Sequence, residues 1–272
     1  MLSLESVLPS VLPFTIVERF FVTKGTIPGG QPWHNTALPS IMQSMIINFN
    51  SEGIRIEIPK AAGTALSSDL VVGQHTKRFT TILEGEIDAI GIHFTPTGLY
   101  RVLQQPMHQF ADHIRPLEAF LPWYQSLKAG LEGQSDSKER IQTLEHIIQQ
   151  HLLVDAHLLG AVATAAELIR ASNGSASLGD IGKQTGLSER SMQRYFLEYV
   201  GISPKAFARI ARFNAVTKLI ESDTPVSWQE VLMETGYFDG AHFNHDFKNI
   251  TGQTPSEYYK GKTAYEKFFY GS

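Results

Sequence analysis

The apolar positions change period along the chain. Between residues 41 and 94 they fall in short runs rich in β-branched and aromatic side chains: 46–49, 54–58, 69–72 and 87–94. Ile54, Ile56 and Ile58 alternate with Arg55 and Glu57, the period-two pattern of a strand with one buried face. Gly53, Pro59, Gly63, Gly73 and Gly85 punctuate these runs where bends are expected. Residues 15–23 fit either another strand or a short helix. After Pro96 the period becomes helical. Thr97 is a candidate cap for a helix over 98–105 that Pro106 ends, a second helical region covers 117–131, and a third covers 137–153 with Ile141, Leu144, Ile148 and Leu152 on one face. That third helix could pack within its own domain, join two domains or pair two copies of the chain. Trp33 and His34 read as an exposed loop, with the mouth of a pocket as the alternative.

From residue 156 onward the pattern is helical throughout. A helix over 156–171 is followed by the run LGDIGKQTGLSERSMQRYFLEYVG, residues 178–201. Leu178 and Ile181 share one face of a short helix, and Gly186 breaks it, since glycine tolerates the left-handed backbone of a tight turn. Leu187 can plug the angle between two helices, and Ser188 is a good cap for the second. Met192, Phe196 and Val200 recur every four residues as its buried stripe. Arg190, Gln193 and Arg194 occupy the opposite face, where such side chains can pair with base edges: arginine with guanine, glutamine with adenine. Alone, this is a permissive signal, equally met by an ordinary helical hairpin with a basic face. Ser203 and Pro204 then start a long helix to about residue 222, packed through Phe207, Ile210, Ala211 and Phe213.

The same arrangement returns. Ser188, Arg190, Met192, Gln193, Arg194, Phe196, Gly201 and Ser203-Pro204 are echoed by Asp239, Ala241, Phe243, Asn244, His245, Phe247, Gly252 and Thr254-Pro255, each 51 residues later. Ile181 and Gly186 are echoed by Val231 and Gly236 at 50 residues, so the second turn carries one extra residue. A lone hairpin does not explain a repeat of cap, core, glycine and Ser/Thr-Pro at one offset. Two such units on one long helix can present two helix N-termini to successive major grooves if they lie about 34 Å apart.

Charge modifies this picture only locally. The whole chain carries a net charge of −4. Between residues 188 and 218, however, six basic residues (Arg190, Arg194, Lys205, Arg209, Arg212, Lys218) face two acidic ones (Glu189, Glu198), a local excess of 6 − 2 = +4. DNA binding needs a basic surface, not a basic protein. At 272 residues, with 42% apolar and 18% charged residues, the composition is that of a soluble two-domain chain. No apolar run reaches about 18 residues, and the N-terminus has no basic region ahead of its apolar one, so neither a membrane span nor a secretory signal is expected. The absence of cysteine removes disulfides and thiolate chemistry. The N-terminal histidines lack the H-x-H or H-E-x-x-H spacing of metal sites, and neither a phosphate-binding glycine loop nor a nucleophile elbow is present.

With the repeat in hand, residues 155–260 resemble the DNA-binding domain of the AraC family of bacterial transcription regulators. The matching stretches are IGKQTGLSERSMQRYF, GISPKAFARIARF and GYFDGAHFNHDFKNITGQTPSEYY, and the resemblance covers about 40% of the chain. GIHFTPTGLYRVL is similar to sensor-like domains fused to some members. The resemblance implies seven helices and two helix-turn-helix units. By position, Arg190, Gln193 and Arg194 read bases in the first unit, and Gly240, Ala241, His242, Asn244 and His245 face the groove in the second. Gly240 and Ala241 stand where members often carry longer polar residues, His245 where arginine is common, and Leu232 at the position equivalent to Gly182. The second unit is therefore expected to read fewer bases. Ser188, Lys205, Arg209 and Lys248 are the candidate phosphate contacts.

The expected fold is α+β: an N-terminal small antiparallel β-barrel or sandwich with helices over 1–152, then an all-α domain with two helix-turn-helix units joined by a long helix over 153–262, and a tail over 263–272. The expected function is a cytoplasmic, sequence-specific transcription regulator controlled through its N-terminal domain by a small-molecule effector. The alternative keeps the same DNA-binding regulator with an N-terminal domain for protein interaction or dimerisation and no ligand. Expected partners are double-stranded DNA, RNA polymerase if the protein activates, a second copy of the chain, and no membrane. No enzyme activity, cofactor or metal is expected. A fused DNA-repair alkyl acceptor, for instance, would need a cysteine.

Overall fold

Period-two burial builds the N-terminal half. In the computed structural model, which describes residues 2–27, 31–50, 54–57, 69–153, 157–221, 227–237 and 239–260, nine strands form two antiparallel sheets. They are β1 (Ser3–Val7), β2 (Val17–Thr26), β3 (Trp33–Ala37), β4 (Gln43–Asn48), β5 (Ile54–Glu57), β6 (Leu70–Val72), β7 (Phe79–Leu83), β8 (Glu86–Phe94) and β9 (Ile114–Pro116). The large sheet runs β1-β2-β8-β4-β6-β9 and the small one β3-β7-β5. Strand β8 is central, pairing Phe20 with Ile92 and Val22 with Ile90 on one side and Met45 with Ile92 on the other. Ile90, Ile92 and Phe94 point to the same face as Phe20, Val22, Met45 and Ile47, and this face packs against helices. Ile87 and Ala89 point to the opposite face, toward Leu83 of the small sheet. Among the described residues the sheets remain open, with β1 and β9 as unpaired edges, so the domain has the sandwich form and is not a closed barrel.

The helices follow the sheet. Helix α1 (Gly98–Leu103), α2 (Tyr124–Leu131) and α3 (Ser137–His151) cover its inner face. The expected helix over 117–131 is split: Leu117–Ala119 form a 3₁₀ turn, and α2 starts only after Pro122, which cannot donate to a preceding helical turn. Helix α3 begins at Asp136, whose carboxylate accepts from the amides of Lys138 and Glu139. Its stripe of Ile141, Leu144 and Ile148 is buried in the core of its own domain, which settles its packing face. Trp33 and His34 are not loop residues; they lie in β3 and pair with Leu83 and Ile82 of β7. The Ile54–Ile58 alternation lies on residues whose side chains are outside the described ones, as do the bends at Gly53, Pro59 and Gly63 and the tail at 263–272.

The C-terminal half is helical: α4 (His157–Ala171), α5 (Leu178–Thr185), α6 (Glu189–Tyr199), α7 (Pro204–Glu221), α8 (Trp228–Thr235), α9 (Gly240–Thr251) and α10 (Pro255–Lys260). Helix α7 has 18 residues and is therefore about 27 Å long. Its first half gives Phe207, Ile210 and Ala211 to a core shared with α4, α5 and α6. Its second half gives Phe213, Val216 and Ile220 to a core shared with α8, α9 and α10. One helix thus carries two cores in series.

The N-terminal domain is fastened to both. Residues 38–42, between β3 and β4, place Leu38 in the second core and Ile41 against the first. Asn214 of α7 accepts from the Ile41 amide at 3.0 Å and donates to the Pro39 carbonyl at 2.8 Å. Gln43 donates to the Val200 carbonyl at 2.6 Å, and Arg78 donates to the Thr251 carbonyl at 2.7 Å. Val200 follows α6 and Thr251 ends α9, so the domain grips the C-terminal ends of both of these helices.

Candidate nucleic-acid interface

The first unit is α5, a turn and α6. Gly186 ends α5 at φ 71°, a conformation that costs glycine little. Gly182 is needed for a different reason: a Cβ there would lie 2.7 Å from the Leu187 carbonyl oxygen. The absence of a side chain lets α5 close onto the turn. Leu187 is buried as the plug, and Met192, Phe196 and Val200 are buried beneath it. Ser188 caps α6, accepting from the Ser191 amide at 3.2 Å. Its hydroxyl also donates to the Ser191 hydroxyl at 2.9 Å, so a phosphate would have to compete for it. Arg190, Gln193 and Arg194 are all exposed on the outer face of α6. Fixing Met192, Phe196 and Val200 inside leaves these three no other direction.

The second unit repeats this with local changes. Gly236 ends α8 at φ 68°, and Asp239 caps α9, accepting from the His242 amide at 2.7 Å. Phe243, Phe247 and Ile250 are the buried stripe. Ala241, His242, Asn244, His245 and Lys248 are exposed, and Gly240 is half-buried. Leu232, which replaces the glycine of the first unit, is half-buried against the second core. A Cβ on Gly240 would sit 4.0 Å from its Cδ1, an ordinary contact. Two of the side chains expected to face a groove are already engaged. His242 Nε2 lies 3.7 Å from Asp246 and its ring packs on Tyr237 at 5.5 Å. His245 lies within 3.2 Å of Asn249 Nδ2.

The basic face is smaller than the residue count implies. Arg212 is half-buried, donates to the Gly174 carbonyl at 2.8 Å and lies over the Tyr237 ring at 5.3 Å, joining the end of α4 to the second unit. Arg209 pairs with Asp246 at 3.0 Å. Burial first, and then the nearby Asp246 carboxylate, push the Tyr237 hydroxyl up to a pKa of about 12. Arg190, Arg194, Lys205, Lys218 and Lys248 are exposed. Among the described residues no group of three or more His, Asp or Glu side chains is placed to hold a metal ion.

Sequence reasoning missed Asp246, because its partner Arg209 lies 37 positions away on another helix. It also missed Gln43, Arg78 and Asn214. Their signal is tertiary: each bonds across the two halves of the chain.

Two capped helices exposing polar and basic side chains, repeated on one connecting helix, define a double helix-turn-helix arrangement. Residues 181–261 match a family model described as a helix-turn-helix domain, and residues 8–116 match a domain of unknown function, DUF6597. An uncharacterised HTH-type transcriptional regulator of Haemophilus influenzae is 29% identical over 160 residues, 54% of this chain and 52% of that protein. The chain thus spans about half the length of this curated relative. Among solved structures, ToxT from Vibrio cholerae O395 aligns over 90% of this chain and 98% of its own, at 13% identity and a TM-score of 0.48. A probable AraC family transcriptional regulator from Rhodopseudomonas palustris aligns over 37% of this chain and 95% of its own, at 29% identity and a TM-score of 0.33. Residues 181–261 are thus a helix-turn-helix domain by geometry and by family match alike.

Proposed function

We propose that this chain is a sequence-specific regulator that reads a two-part operator, with Arg190, Gln193 and Arg194 contacting bases in one major groove and α9 occupying the next. The observation that carries the reading is the exposure of these three side chains on a capped helix whose other face is wholly buried. The second unit contributes Asn244 and His245 to bases and Lys248 to phosphate, with less discrimination. Gly240 and Ala241 have no polar reach, and His242 is held by Asp246. Lys205 and the N-terminus of α6 supply phosphate contacts to the first half-site. Input comes through the N-terminal domain, whose ligand is a small-molecule effector. Hydrogen bonds from that domain to the ends of both α6 and α9 support this route, because a shift there moves both reading helices. RNA polymerase and a second copy of the chain are the proposed protein partners, and the cytoplasm the proposed location. No described helix is long and apolar enough to cross a membrane.

Selection from random duplex DNA tests the reading. The expected product is one sharply defined half-site and one degenerate half-site, their centres separated by about one helical turn, roughly 10–10.5 base pairs. Enrichment of single-unit sites alone would refute the two-part arrangement.

A further inference from the structure

A continuous row of side chains runs from the reading face of α6 into the N-terminal domain. The Arg194 guanidinium carbon lies 4.5 Å from the centroid of the Tyr195 ring, and Arg194 Nη2 donates to the Tyr195 hydroxyl. One turn along, the Tyr195 ring stacks on Tyr199 with centroids 5.7 Å apart and planes within 6°. Tyr199 in turn meets Tyr100 of α1 at 4.6 Å and a 59° tilt. Arg194 is exposed, Tyr195 and Tyr100 are half-buried and Tyr199 is buried. The row therefore starts at a side chain offered to DNA and ends on α1, one of the helices that cover the large sheet. Next to it, the backbone is equally close: a Cβ on Gly201 would lie 2.8 Å from the Met107 carbonyl oxygen.

An arginine side chain gives up rotamer entropy when it is ordered. A ring beneath the guanidinium and a hydroxyl accepting one of its hydrogens impose part of that order before DNA arrives, so less is lost on binding. Only one of the five N–H donors is used by Tyr195, and the remainder can serve a guanine O6/N7 pair. Tyr195 cannot swing aside freely, because Tyr199 stacks against its ring and Tyr100 braces Tyr199 in turn.

We propose that Tyr195 is a specificity-determining positioning residue. It holds Arg194 for one base pair, and the Tyr199–Tyr100 contact makes the sharpness of that reading depend on the docked N-terminal domain. This rests on the assignment of Arg194 to base reading. A row that merely packs α1 against α6 would affect stability and overall affinity, but not the preference at one position.

The test measures a full base-preference profile of the full-length chain by competition among single-substitution operators. Arg194→Ala is expected to flatten the preference at one base pair. Tyr195→Ala is expected to reduce the preference at that same pair by about 3- to 10-fold, with other positions within about twofold. Tyr195→Phe keeps the ring and loses the hydroxyl, and should give a smaller loss at the same pair. Tyr100→Ala, remote from DNA, should blunt it too, and Tyr195→Ala added to Arg194→Ala should change nothing further there. If Tyr195→Ala does not fold, Tyr195→Phe and Tyr100→Ala give the same readout. A flattened Arg194→Ala profile beside unchanged or uniformly weakened tyrosine variants overturns the positioning role alone. A profile untouched by Arg194→Ala overturns the base-reading assignment and the positioning role together.

Discussion

On the proposed reading, Asp246 limits how much positive charge Arg209 and His242 can offer to DNA, and replacing it by asparagine measures that limit. Its carboxylate is almost enclosed and pairs with Arg209 across α7 and α9 at 3.0 Å, with His242 at 3.7 Å. Arg209 is 46% exposed at its side chain, so solvent screens much of the pair. An asparagine side chain would keep the shape and one acceptor while losing the charge, and the folding cost should be only about 1 kcal/mol, the difference between a charged and a neutral hydrogen bond. The gain lies on the DNA side. A released Arg209 that reaches one phosphate adds about 0.9 to the slope of log affinity against log salt. Over a fourfold salt range, from about 50 to 200 mM, that is an extra factor of roughly 3.5. Fluorescence anisotropy with a non-specific duplex across that range reads the slope, and adding Arg209→Ala to the Asp246→Asn protein should remove the increase. Equal slopes for wild type and Asp246→Asn would refute the reasoning. So would a wild-type background in which Arg209→Ala flattens the slope as much as Lys205→Ala, because the paired arginine would then already be reaching phosphate.

Other positions give independent checks. Gly182→Ala gains about 1 kcal/mol of helix propensity but drives a Cβ to 2.7 Å from the Leu187 carbonyl, so denaturant unfolding should show a net loss of about 1–2 kcal/mol. Gly240→Ala, with 4.0 Å of clearance, should be neutral or stabilising in the same assay. Burial opposes the charge of Glu145, yet the Ser10 hydroxyl and the amides of Val11, Leu12 and Ser10 hold its pKa below the ordinary carboxylate value. Its stability contribution is therefore present above about pH 4.5 and lost as pH falls through the lower folded value. Glu145→Gln should cost about 1–2 kcal/mol near neutrality and remove that part of the acid dependence, read as melting temperature against pH. Asn214→Ala breaks two bonds to residues 39 and 41, worth about 1–3 kcal/mol together, and should speed amide exchange at Ile41 by roughly 5- to 150-fold.

The helix-turn-helix half is legible because its rules are local and stated twice. Caps at Ser188 and Asp239, left-handed glycines at 186 and 236, and the stripes Met192-Phe196-Val200 and Phe243-Phe247 depend on near neighbours in the chain, and the structure places each as expected. The N-terminal half was legible only where alternation was strong. Strand β8 is evident, but β3 is not, because Trp33-His34-Asn35-Thr36 has no apolar alternation; its strand character comes from pairing with β7. Strands β1 and β9 are short edges with mixed burial and gave no periodic signal. The site was legible as a list of exposed side chains, but not as a set of engaged ones. The ties of Arg209 to Asp246, Arg212 to Gly174 and Arg194 to Tyr195 depend on where helices cross or side chains fold back, which spacing alone does not specify.

The most direct test of the central claim is the affinity of the Arg190→Ala, Arg194→Ala double variant for the operator obtained by selection, measured beside a scrambled duplex at one fixed salt concentration. Loss of two base-reading arginines should cost roughly 2–6 kcal/mol on the operator. The same change should weaken the scrambled duplex far less, collapsing the specificity ratio. An unchanged ratio would contradict the placement of α6 as the first reading helix.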